Sequence, residues 1–405
     1  MKILQINTVV NSGSTGRITE DIGRVFLSRG HSSYIAFGRG NRPSQSDLIK
    51  IGNDFDVISH GFKTALLDKH GFGSKRATEA LISRIDEIKP DVIGLHNLHG
   101  YYCNIGILFR YIHTMNIPVI WTLHDCWAFT GHCSYFDDIN CLKWIVRCYS
   151  CPKTRKYPSS YMCDNSRRNY ENKKILFNIA PNLNLVVYSN WLKSLVEQSF
   201  LKAHSIYHIF NGVDLKVFKP QISDSLIRKY DIKNRKVVLG VANIWDVRKG
   251  LSDFIKIYEI LQKSVVLILI GLTKKQLKRL PAGIIGVERT ENVEELASYY
   301  SMADVFVNPT YMDNFPTTNI EALACGTPVV TYDTGGSPEA IDEETGKVVC
   351  KGDIEGLVDA INEILDSDRN TLRSMCRDRA ERLFDKDQRY LDYLNLYESI
   401  ISMRP

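Results

Sequence analysis

The chain has 405 residues, of which 44% are hydrophobic and 24% charged, and its formal charge is +5. That length predicts two or three domains rather than one core, and the balance is that of an ordinary globular protein. No run approaches the roughly 20 apolar residues of a bilayer span. Met1-Lys-Ile-Leu-Gln-Ile-Asn enters a strand pattern with no small-residue cleavage site behind it, so a cytoplasmic protein is expected. In chain order, Lys2–Val9 reads as a buried strand, Ile18–Arg29 as an amphipathic helix and Ser33–Phe37 as a strand, followed by helical patterns through Lys89. Asp91–His96 and Pro118–His124 read as strands on either side of a helix over Ile105–Met115. Strands separated by helices predict parallel βαβ units, whose functional groups gather at the carboxyl ends of the strands. His96 and His124 fall there. Residues 126–172, rich in Cys, Trp, Tyr, Lys and Arg, break the rhythm and read as an insert or lid.

The rhythm resumes with Leu185–Ser189 and a helix to about Phe200, and Ile209–Asp214 with Phe218 and Pro220 reads as a crossing segment. A second series of strands is predicted at Lys236–Ala242, Val265–Leu272, Gly283–Val287, Asp304–Asn308, Pro328–Tyr332 and Lys347–Cys350. Helical patterns over Ile354–Leu365 and Asn370–Met403 follow. The expected fold class is α/β, with two doubly wound domains facing each other across a cleft. The first spans residues 1–200, a linker follows at 201–220, and the second spans 221–375. Helices over 376–405 are expected to pack back on the first domain.

Cys133, Cys141, Cys148 and Cys151 lie within 19 residues and end in Cys-x-x-Cys, the ligand count of a tetrahedral structural zinc site. Buried free thiols and redox pairing are the other readings of that cluster. Residues 143–174 carry nine Lys/Arg against Asp164 and Glu171, a local +7 that leaves −2 for the rest of the chain. Such a segment suits an anionic membrane surface or a pyrophosphate-bearing lipid; the plainer reading is a solvated insert. No nucleic-acid partner is expected.

Asp313-Asn-Phe-Pro-Thr-Thr-Asn-Ile-Glu321 sets two carboxylates eight positions apart, the first in a Pro-containing loop and the second opening a short apolar helix. An apolar run through Gly326-Thr-Pro and then Gly335-Gly-Ser-Pro-Glu339 follow it. Such loops can aim backbone N–H groups at an anion while a carboxylate holds a sugar hydroxyl. Asn243-Ile-Trp-Asp-Val-Arg248-Lys249-Gly250, at the end of the second series' first strand, offers two cations near a helix start. Asn11-Ser-Gly13-Ser-Thr-Gly16-Arg17 lacks the Gly-x-Gly-x-x-Gly spacing of dinucleotide folds, which argues against a nicotinamide enzyme. His96-Asn97-Leu-His99-Gly-Tyr101 is a polar and aromatic cluster at a strand end.

This layout resembles the donor-binding signature of retaining nucleotide-sugar glycosyltransferases of family 4, which have the two-domain GT-B architecture. Thr122-Leu-His124-Asp with Gly-His132-Cys133 and Cys148-x-x-Cys151-Pro is similar to enzymes of exopolysaccharide and O-antigen assembly, notably of the colanic acid type. The resemblance implies that Asp313, where the family usually has Glu, contacts the transferred sugar and that Glu321 binds the nucleotide ribose. It implies that the loop from Asn314 through Phe315 and Thr317 aims N–H groups at phosphate or sugar, with Glu339 beside it. Lys249 matches the family lysine; Asn243 stands where the family has arginine, and Arg248 is the candidate second cation. Gly13 and Gly16 are assigned to the donor phosphate and His124 to the donor sugar, while His96, Asn97, His99 and Tyr101 suit an acceptor sugar. No cofactor is needed for the implied chemistry, because the two cations and helix N-termini can stabilise the leaving diphosphate. The implied reaction moves a hexose from a UDP-sugar, by preference, to a lipid-linked oligosaccharide at the inner face of the plasma membrane, where the protein would be peripheral. A GT-B epimerase or phosphorylase and a non-catalytic glycan-binding scaffold are the alternatives.

Overall fold

The computed structural model describes residues 1–402 apart from 41, 222, 233–234 and 262–264. Met403, the last residue of the predicted C-terminal helix, lies outside them. The chain divides into two compact units, Met1–Ile209 joined by the segment from Tyr390 on, and Phe210–Arg389.

The first unit is built on seven parallel strands: β1 Lys2–Asn7, β2 Ser32–Phe37, β3 Asp47–Lys50, β4 Val92–Leu95, β5 Val119–Thr122, β6 Leu183–Val187 and β7 Ser205–His208. Their order is β3-β2-β1-β4-β5-β6-β7. β4 and β5 are buried along their whole length because helices cover both faces, which explains their unbroken apolar runs. β3 and β7 were not predicted as strands, and β7 lies inside the expected linker. Both are outermost, so each has one ladder neighbour and little apolar burial, and neither carries a strand's apolar signature. On one side of the sheet, Phe177 packs on Phe109 and Trp121 with centroids 4.6 and 4.9 Å apart. Phe177 belongs to the helix Ser166–Asn178, which runs past the predicted end of the insert at 172.

The second unit carries six parallel strands: β8 Lys236–Val241, β9 Val265–Ile270, β10 Ile284–Val287, β11 Val305–Asn308, β12 Val329–Tyr332 and β13 Gly346–Val349. Their order is β10-β9-β8-β11-β12-β13. The long helical pattern predicted from Asn370 is two helices, Arg369–Phe384 and Lys386–Ser402, broken at Asp385. Val213 causes the break: its N–H donates to Phe384 O at 2.8 Å and its carbonyl accepts from Lys386 N at 3.1 Å. The change of unit at Tyr390 therefore falls inside the last helix.

Each sheet reverses its winding once, between β1 and β4 in the first unit and between β8 and β11 in the second. In doubly wound sheets the loops leaving the carboxyl ends of such neighbouring strands splay apart and leave a crevice for ligands.

Candidate functional site

In the second unit the two loops at the reversal hold the residues singled out from the sequence. After β8 the chain makes a short turn of 3-10 helix, Val247–Lys249, whose first N–H groups are capped by Asp246 accepting from Lys249 N at 3.1 Å. Gly250 then takes φ +73°, where a Cβ would lie 2.3 Å from Pro309 O, so glycine is required for the turn to rest on the β11 loop. The helix Leu251–Leu261 follows. Arg248 O accepts from Tyr311 N at 2.7 Å, and Arg248 Nη1 donates to Met312 O at 2.9 Å. These bonds bring Lys249 Nζ to 2.6 Å from Asp313 Oδ2, with Arg248 Nη1 3.9 Å from the same oxygen. Two cations thus share one carboxylate, and the three side chains are only partly buried. Asn243, on the same β8 loop, is exposed.

The second glycine loop sets the height of Asp313. Gly335 has φ +56°, and a Cβ there would sit 1.8 Å from Asp313 O. Gly336 N donates to Asn314 O at 2.9 Å, which locks the two loops together. Asn319 binds both sides: its Oδ1 accepts from Asn308 Nδ2 at 2.8 Å, and its Nδ2 donates to Ser337 Oγ at 3.0 Å. Ser337 Oγ lies 2.6 Å from Thr331 Oγ1. These buried polar groups escaped the sequence reading, although Asn308 and Thr331 at the ends of apolar strands were the available signal.

Two expectations for this motif change. Thr317 opens the helix, which is Thr317–Ala324, and Glu321 lies in its middle, its Oε2 accepting from Tyr300 OH at 3.0 Å. Phe315 points inward against Phe210 and Phe384, with centroids at 5.3 and 5.9 Å, so its side chain is core and only its backbone can face a ligand. Glu339 lies in the short turn Pro338–Ala340 next to this loop, partly buried.

In the first unit, Gly13 opens the helix Gly13–Ser28 after β1, and Asn11 N donates back to Gly16 O at 3.0 Å. A Cβ on Gly16 would lie 3.1 Å from Asn11 N, so its role is to seat the helix on its own entry loop. Thr8 ties that loop to the one after β4, donating to His99 O at 2.6 Å.

The histidines form a hydrogen-bonded ladder. Gln5 Nε2 donates to Thr19 O at 2.9 Å, which leaves its Oε1 to accept from His96 Nε2 at 3.1 Å. His96 Nδ1 must then accept from His124 Nε2 at 3.2 Å, and His124 Nδ1 from Tyr188 OH at 3.3 Å. Burial drives the His96 pKa down to about 3 and that of His124 well below its usual value, so both rings are neutral and in fixed tautomers. His96 is fully buried and cannot meet an acceptor. Both ring nitrogens of His124 are engaged within the unit, which differs from a ring held ready for the donor sugar.

His99, in contrast, lies beside Asp125, Nε2 to Oδ2 at 2.8 Å, with its Nδ1 3.0 Å from Tyr157 OH. Burial works against ionisation of Asp125, but His99 and the Trp127 N–H together hold its pKa below the usual carboxylate value. Asn97 and Tyr101 are partly exposed beside it, and Tyr101 packs on His70 with centroids 5.0 Å apart.

In the insert, Cys133 and Cys151 are hydrogen-bonded to each other, and Cys148 Sγ accepts from Gly131 N at 3.2 Å. The Cys133 contact, opposed by burial, brings the Cys151 thiol down to about 7. Among the described residues, no group of three or more His, Cys, Asp or Glu side chains is gathered so as to hold a metal ion. Of the four cysteines read as a possible zinc set, Cys133 is buried and Cys141, Cys148 and Cys151 are partly buried. Among the described residues no helix is long and apolar enough to cross a membrane.

Comparison with known proteins accords with this geometry. Residues 15–217 match the family model described as Glycosyltransferase Family 4, and residues 235–367 match that described as Glycosyl transferases group 1. The putative colanic acid biosynthesis glycosyl transferase WcaC of Escherichia coli K12 is 24% identical over 99% of this chain and all of that protein. The capsular polysaccharide biosynthesis glycosyltransferase CapM of Staphylococcus aureus is 25% identical over 47% of this chain and 53% of its own. Among solved structures, Anabaena HepE in complex with UDP superposes with a TM-score of 0.70 at 16% identity, covering 98% of this chain and 100% of that one. That likeness shows the fold: two Rossmann-like domains of the GT-B type. The family matches span both units, and the chain is a glycosyltransferase belonging to glycosyltransferase family 4.

Proposed function

We propose that this glycosyltransferase moves a hexosyl group, with retention of configuration, from a nucleoside diphosphate sugar to a lipid-linked oligosaccharide during assembly of a bacterial surface polysaccharide. The convergence of Lys249, Arg248 and Asp313 at the β8/β11 reversal carries the reading. A pyrophosphate draws the two cations, and Asp313 is then placed to accept from a hydroxyl of the adjoining sugar. UDP is the preferred nucleotide, because HepE, which shares the fold, has been crystallised with UDP-glucose. The polysaccharide context rests on WcaC and CapM.

In the reaction the bond from the anomeric carbon to the leaving phosphate oxygen breaks, and the acceptor oxygen bonds that carbon from the same face. The acceptor's proton passes to the departing phosphate oxygen. Lys249, Arg248 and the amides opening the helix Thr317–Ala324 stabilise the charge that builds on the diphosphate. Tyr300 fixes the orientation of Glu321 for a ribose hydroxyl. Asn97, His99 and Tyr101 serve the acceptor sugar. No metal or cofactor is assigned a step.

Transfer from radiolabelled UDP-hexoses to an extracted lipid-linked acceptor tests this. Lys249→Ala is expected to lower kcat by roughly a hundredfold or more, and Asp313→Asn to act mainly on the choice among UDP-hexoses. Full activity in both variants sinks the assignment.

A further inference from the structure

We propose that the helix Asp54–Leu67 and the adjoining loop at Tyr161–Met162 dock the enzyme on the surface of an anionic lipid bilayer. The helix is amphipathic in the inverted sense. His60 and Thr64, one turn apart, are its buried residues. Phe55, Ile58 and Phe62, spaced by three and four, form the opposite stripe and are 76%, 68% and 64% exposed. A soluble surface scatters single apolar side chains but seldom aligns two Phe and an Ile on one stripe. The stripe does not end with the helix. Tyr161 N donates to Ala65 O at 2.8 Å, which sets Tyr161 and Met162, 66% and 75% exposed, beside the helix's last turn.

Charge selects the occupant. Asn165 donates to Leu67 O at 2.7 Å and to Asp68 Oδ2 at 2.9 Å, so the basic insert is tied to the same end of the helix. The exposed cations there are Lys63, Lys69, Arg155, Lys156, Arg167 and Arg168. Of the nearby acids, Asp56 caps the helix, Asp164 accepts from Cys151 N and Ser166 N, and Asp54 is exposed at the far end. Apolar and aromatic side chains flanked by cations match an anionic headgroup layer over acyl chains. Part of the +7 segment is turned inward: Lys153 pairs with Asp138 at 2.5 Å, and Lys173 lies 3.5 Å over the Trp127 ring. Charge alone therefore understates how far docking depends on the helix.

The inference rests on the lipid-linked acceptor proposed above. Its test is sedimentation of the full chain with phosphatidylcholine vesicles, with and without phosphatidylglycerol. The wild type is expected to favour the anionic vesicles, and Phe55→Ser/Ile58→Ser/Phe62→Ser to bind them roughly tenfold or more weakly at an unchanged melting temperature. The triple Leu variant is expected to retain binding. Equal binding by wild type and the Ser variant overturns the proposal and leaves the acceptor reading intact, as does a wild type that binds neither vesicle. A wild type that is dimeric by light scattering, with a monomeric Ser variant, assigns the stripe to a second copy and also overturns it. The acceptor reading is judged separately, by transfer to the lipid-linked acceptor in detergent; failure there sinks that reading.

Discussion

In the run Lys2-Ile-Leu-Gln-Ile-Asn, Gln5 is a polar side chain in a fully buried strand position, and its amide fixes the protons on both His96 and His124. His60 is bound by a similar logic. Its Nε2 accepts from Gly71 N and Gly73 N, both at 3.2 Å, and its Nδ1 lies 2.9 Å from Ser74 Oγ, so the ring must be neutral to hold the 71–74 loop. Burial lowers its pKa to about 4. The unfolded chain takes up this proton near pH 6.5, whereas the folded chain does so only near 4. Stability is therefore expected to fall as pH drops from about 6.5 toward 4, with about 1.4 kcal/mol per pH unit from this one group. Urea midpoints at pH 7 and pH 5 check it, and His60→Gln should give a shallower slope. The carboxylate and cations of the donor site were legible because Asp313 and Lys249 stand in the loops that follow two predicted strands, within short motifs that resemble a family signature. The histidine ladder was not, because His96 and Gln5 are 91 residues apart and no local pattern links them.

At the scale of elements, a fully buried histidine–carboxylate contact is among those that hold the insert. Asp68 ends the helix Asp54–Leu67 in a left-handed conformation, and its carboxylate lies 2.6 Å from His132 Nδ1 with both side chains fully buried. Burial opposes the charged ring, but the bond to Asp68 and its charge raise the His132 pKa. This contribution is complete below the unfolded pKa of about 6.5 and is lost as pH rises through the raised folded value. Its pH dependence therefore runs opposite to that of His60. Asp68→Asn is expected to cost about 3 kcal/mol. Limited proteolysis should then cut within residues 147–163 well before the rest of the chain, and equal cleavage in variant and wild type would count against the anchor. The long apolar strands and the loops after them could be read from periodicity, while β3, β7 and the break at Asp385 could not. Those features are set by neighbours distant in sequence: an edge with one partner, and Val213 bonding at the junction of two helices.

For the whole molecule, two domains and their strand series followed from the alternation of strand and helix patterns, but the true boundary near the end did not. The segment from Tyr390 on belongs to the first unit. Tyr397 packs edge-on against Phe26 with centroids 5.2 Å apart, and a Cβ on Gly94 of β4 would lie 2.5 Å from its hydroxyl. Residues 1–209 alone are therefore expected to be poorly packed, with lost near-ultraviolet dichroism, and to recover it when a peptide of residues 386–402 is added. A fragment that is cooperatively folded without the peptide would contradict this. The tail also sets an order of assembly. A ribosome adds about 5–20 residues per second, so Tyr397 emerges on the order of ten seconds or more after Ile209. The nascent chain meanwhile makes the whole of the second unit. Of the two units, the one begun earlier is completed later, and a message broken before the codon for Tyr390 yields a chain whose finished unit is the downstream one.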